Sequence, residues 1–193
     1  MRYLKALGLT AVSVMALMAL FGANSASATT VEIGGVTKNE SIFSKTSLAS
    51  GTSALLKNTS GAIQNTCTES GGEGTSSSPY TAEVLTGALS TGFVSNCTRA
   101  VTTHEGGTLE LQWTSGTNGT VFAEGGEVTT RTPLLGYITC TAGETSHMGT
   151  VTGVSEGNAT IHVNAVVNCG AIPSAVVEAT YTVTTPEGLG VSS

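Results

Sequence analysis

Gly153-Val154-Ser155-Glu156-Gly157 matches the G-x-S-x-G pattern, in which glycines let a strand turn sharply into a helix and present the serine as a nucleophile. A hydrolase built on Ser155 would need a histidine base oriented by a carboxylate. The histidines are His104, His147 and His162, and the chain has no Asp, so a Glu would have to orient the base. His104 and Glu105 are neighbours, but adjacent strand residues point to opposite faces, which makes them two solvated side chains beside Gly106-Gly107. With 25 glycines in the chain such matches arise by chance, and the residues after Gly157 alternate as a strand. A β-turn is therefore the better account of Ser155. No histidine or cysteine spacing suggests a metal, so no catalytic, cofactor-binding or metal-binding residue is assigned and no cofactor is expected.

The four cysteines, Cys67, Cys97, Cys140 and Cys169, form no C-x-x-C pair. In an exported chain an even count favours two disulfides. Of three possible connectivities, Cys67 with Cys97 and Cys140 with Cys169 close the short loops. Glycan-binding β domains use exposed aromatic side chains, and Trp113 is expected in the core because it shares a strand face with Leu109 and Leu111. Tyr181 also falls on an apolar face; Tyr80 is the aromatic residue best placed for ligand contact. Sequons at Asn39, Asn58, Asn96, Asn118 and Asn158 are inexpensive matches in a Ser/Thr-rich chain.

Export is read from the N-terminus. Arg2 and Lys5 precede an apolar run from Ala6 to Leu20, and Ala26-Ser27-Ala28 supplies a small-residue cleavage site. Residues 1–28 are thus expected to be a signal peptide and residues 29–193 a single domain. The run is shorter than the roughly 20 apolar residues that span a bilayer, and no membrane span is expected in the mature chain. Two of the seven basic residues lie in the signal, so five face 13 acidic ones, a net charge of −8. That balance repels nucleic acid and anionic lipid, and no basic run reverses it locally.

The elements that would position these residues are strands. From Ala159 to Val167 apolar residues alternate with Thr160, His162 and Asn164; from Ala175 to Thr184 the alternation recurs, and a turn at Gly170–Ser174 would join the two as a hairpin. A second hairpin is marked by Leu109, Leu111 and Trp113, then Asn118-Gly119 as the turn and Thr120-Val121-Phe122. Further strands are expected around residues 31–33, 53–57, 82–85, 89–95, 127–131, 136–141 and 149–154, and no helix is expected after the signal. The Gly/Ser stretch near 70–79 reads as a mobile loop. The fold class is all-β, a single antiparallel β-sandwich or barrel-like domain.

The strings GTSALLKNTSG (Gly51–Gly61), WTSGTNGTVFAEGGEVT (Trp113–Thr129) and TPEGLGV (Thr185–Val191) resemble a group of small secreted β-rich proteins of soil actinobacteria. The resemblance implies an exported protein and carries over no catalytic or binding residue. The function expected is that of a non-catalytic binding or structural protein outside the cell or at its surface, acting on an extracellular ligand or surface component. A serine hydrolase using Ser155 and a glycan-binding module are the alternatives.

Overall fold

The computed structural model describes residues 28–76, 81–82, 84–104, 106–143 and 146–193. Among them the chain forms strands and no helix. In order these are β1 (Thr29–Ile33), β2 (Val36–Thr37), β3 (Phe43–Leu48), β4 (Ala54–Lys57), β5 (Ile63–Ser76), β6 (Thr81–Ala82), β7 (Leu85–Cys97) and β8 (Val101–His104). There follow β9 (Thr108–Ser115), β10 (Asn118–Glu124), β11 (Glu127–Thr132), β12 (Gly136–Thr141), β13 (Ser146–Thr152), β14 (Thr160–Cys169), β15 (Ile172–Thr185) and β16 (Leu189–Ser192).

Eight antiparallel staves close into a barrel. Going round, β5 pairs β7, β7 pairs β9, and the ladder continues through β10, β13 and β14 to β15. The stave between β15 and β5 is shared. There β4 pairs both neighbours at one end and β3 pairs both at the other. The chain leaves the stave between them through a turn in which Thr52 Oγ1 donates to the Ala49 carbonyl at 2.7 Å. Closure removes the exposed sheet edges that an open sandwich would keep.

Two smaller layers finish the molecule. A sheet of β16, β1 and β2, with β6 on β1, is joined to the barrel where the Trp113 amide donates to Thr29 Oγ1 at 2.8 Å. At the other end of β5, β8, β11 and β12 form a side sheet attached to β14 by the Thr141–Asn168 pair. Disulfides join Cys67 to Cys97, directly opposed on β5 and β7, and Cys140 to Cys169, beside the Thr141–Asn168 pair of β12 and β14. The core follows the layers. Ile138, Cys140, Val167 and Ala175 cluster where β12, β14 and β15 meet, whereas Val121, Val151 and Val183 cluster inside the barrel with Val31, Ile42 and Leu85 nearby.

Four expectations change. Residues 70–76 are strand, not loop, because the small residues let β5 run close between β3 and β7; residues 77–80 lie outside the described set. The β9–β10 turn is Gly116-Thr117, with Gly116 at φ +57°, and Asn118 already pairs Ser115. Trp113 is half-buried rather than enclosed. Its indole N–H donates to the Gly116 carbonyl at 2.9 Å, and it belongs to none of the core clusters. The β14–β15 hairpin forms, but its turn is the two residues Gly170-Ala171 rather than Gly170–Ser174, because Ile172 already pairs Cys169 in the ladder.

Candidate ligand cavity

Ser70, Gly72, Gly74 and Ser76 alternate along β5 with Gly71, Glu73 and Thr75, so one face of a long strand carries almost no side-chain volume. The reason is the neighbouring backbone. A Cβ on Gly72 would lie 3.1 Å from the Thr91 carbonyl oxygen, and one on Gly74 would lie 2.9 Å from that of Ala88. Glycine therefore permits close strand approach and leaves the space beyond it unfilled.

That space is a cavity of about 170 Å³. Gly72, Gly74 and Gly87 line it from β5 and β7, while Leu111, Val121, Val151, Ile161 and Val183 line it from β9, β10, β13, β14 and β15. Val31 and Leu189 of the smaller sheet also border it. Its polar fringe includes Ser44, Thr46 and Glu73, the last held by an ion pair with Lys45 at 2.6 Å. The walls offer dispersion contacts and no unsatisfied donor: among the described residues every buried side-chain nitrogen or oxygen has a hydrogen-bond partner.

A second cavity, also about 170 Å³, lies toward the side sheet and is lined by Leu56, Cys67 and Val177 with the polar Asn65, Ser70, Thr130 and Tyr181. Here polarity serves structure. Asn65 Nδ2 donates to Thr130 Oγ1 at 2.8 Å, while its Oδ1 accepts from the Arg99 amide at 3.0 Å and from Thr98 Oγ1 at 2.8 Å. The Tyr181 hydroxyl and Ser70 Oγ share a hydrogen bond at 2.9 Å between β15 and β5. Burial raises the Tyr181 pKa above the usual 10.0, and the Ser70 hydrogen bond offsets part of that rise.

No family model, curated protein or solved structure matches this chain. Its own geometry must carry the reading.

Ser155 lies exposed in a bend between β13 and β14, so its surroundings are strand, turn and strand. Among the described residues no hydrogen bond joins it to a histidine. His147 packs edge-on against Phe122 with ring centroids 5.7 Å apart, and His162 on β14 meets Thr180 Oγ1 at 3.3 Å. His104 ends β8, and Glu105 and Tyr80 lie outside the described residues. No three His, Cys or Glu side chains converge as metal ligands among the described residues. The residues sequence reasoning missed are the glycines of the cavity wall. Their signal was the period of two in Ser70, Gly72, Gly74 and Ser76, which a loop has no reason to show.

Proposed function

We propose that this is an exported, non-catalytic binding protein that holds one small apolar molecule inside its barrel. The observation that carries the reading is the cavity of about 170 Å³ with an aliphatic wall on one side and glycine on the other. An eight-stranded barrel is just wide enough either to be filled by its own side chains or to hold one small ligand. An enclosed apolar cavity of roughly 150 Å³ takes benzene or xenon; this one is of similar volume and apolar along its walls but opens to solvent past Ser44, Thr46 and Glu73, so the ligand class is a hydrocarbon or aromatic of that size. Export is supported by the signal-like residues 1–28, by the two disulfides and by the resemblance to small secreted actinobacterial proteins. The outward positions His162 and Asn164 on β14 and Glu178, Thr180 and Thr182 on β15 suit a barrel surrounded by water.

Thermal denaturation with a series of small hydrocarbons tests this. A ligand at ten times its Kd adds about 1.4 kcal/mol, or roughly 3 to 6 °C in a chain of this size. Thr46→Phe, which places a ring over Gly72, should abolish the shift. Val151→Ala should move the preference to larger hydrocarbons. A series in which no hydrocarbon raises Tm, or in which Thr46→Phe leaves the shift intact, contradicts the proposal.

A further inference from the structure

The hairpin between β11 and β12 carries its apolar residues on the outside. Its turn is Pro133-Leu134-Leu135, with Leu134 92% exposed and Leu135 49% exposed, and Tyr137 just beyond it is 67% exposed. The two strands face the protein with Thr130, Thr132, Ile138 and Cys140, all buried, so nothing in the packing calls for leucines at the tip.

The charge around this tip differs from that of the chain as a whole. Arg131 is exposed and directly opposite Tyr137. The Arg131 amide donates to the Ala100 carbonyl at 3.0 Å, which brings the neighbouring Arg99 to the same end, where its Nε donates to the Gln64 carbonyl at 3.0 Å. Ile63, 55% exposed, is the next residue along from Gln64. Neither the Lys45–Glu73 nor the Lys57–Glu178 ion pair involves an arginine. Two of the seven Lys and Arg residues of a chain with net charge −6 thus flank an exposed Leu-Leu tip.

We propose that this tip docks the protein on an anionic lipid bilayer. A convex tip of two leucines has no flat area to match a protein partner, but it has the depth to enter the headgroup and acyl boundary. Tyrosine is favoured at headgroup level, and arginine is drawn to anionic lipid and can pair with its phosphate oxygens. Contact is weak and reversible, because it combines a small apolar insertion with two charges. The inference does not rest on the cavity, which lies toward the other end of β5.

Co-sedimentation with vesicles tests the docking. The protein is used as residues 29–193, the span that builds every strand described, so that the apolar N-terminal run cannot itself bind lipid. Phosphatidylcholine vesicles containing phosphatidylglycerol should pellet the protein, and pure phosphatidylcholine should pellet at least fivefold less. Leu134→Ser with Leu135→Ser should lower the bound fraction on anionic vesicles at least tenfold while leaving Tm unchanged. Arg99→Gln with Arg131→Gln should remove the preference for anionic lipid, and salt should weaken wild-type binding. Failure to pellet with anionic vesicles, or pelleting that survives the leucine changes, overturns the proposal. So does a dimer in light scattering that the leucine changes dissociate, since a second copy would then be the occupant.

Discussion

Tyr181 brings a phenol into the barrel interior, and Ser70 is the partner that makes this tolerable. Leaving a buried hydroxyl without a partner costs about 1 to 3 kcal/mol, so Ser70→Ala should destabilise by that amount and more than Tyr181→Phe, which removes the polar atom itself. The pH dependence has a definite sign. Because burial raises the folded-state pKa above 10.0, the native protein keeps a proton that the unfolded chain releases first. The contribution is complete below pH 10 and is lost as pH rises through the folded value. Denaturant unfolding at pH 9 and pH 11 should show wild type losing more stability than Tyr181→Phe. Parallel losses would mean that Tyr181 is solvated.

The side sheet of β8, β11 and β12 is held to the barrel by few links. Between β12 and β14 there is one strand pair, Thr141 with Asn168, beside the Cys140–Cys169 disulfide. Closing a loop of about 30 residues contributes roughly 3 to 4 kcal/mol in the chain-entropy model. Cys140→Ala with Cys169→Ala should therefore lower stability by about that much, and hydrogen exchange should accelerate first in β8, β11 and β12 while β9, β10 and β13 remain protected. Uniform acceleration throughout would show that the two layers unfold as one unit. At this scale much of the fold was legible in the sequence. The alternation from Ala159 to Val167 and from Ala175 to Thr184 gave β14 and β15, since each buries one face and wets the other. The glycine run of β5 was not legible as a strand, because its signal is missing side-chain volume and its cause is the distant backbone of β7. Trp113 was misplaced for a related reason: its strand face was read correctly, but not its position beside the Gly116 turn, where β9 ends.

Whether the strands form a sandwich or a barrel depends on edges far apart in the chain. The decisive contact is that β15 pairs β14 on one side and β3 and β4 on the other, joining residues near 180 to residues near 50. Local pattern contains no information about that meeting. Once the barrel closes, its interior volume is fixed by which faces carry large side chains, and the glycines of β5 and β7 leave one wall thin. The cavity is thus a property of the whole molecule, and so is the function proposed for it. Methyl-resolved NMR during titration with benzene tests that claim most directly. Shifts should concentrate at Leu111, Val121, Val151, Ile161 and Val183, and Thr46→Phe should suppress them. Shifts confined to exterior methyls such as Val36 and Val166, or none at saturating benzene, would contradict an internal binding site.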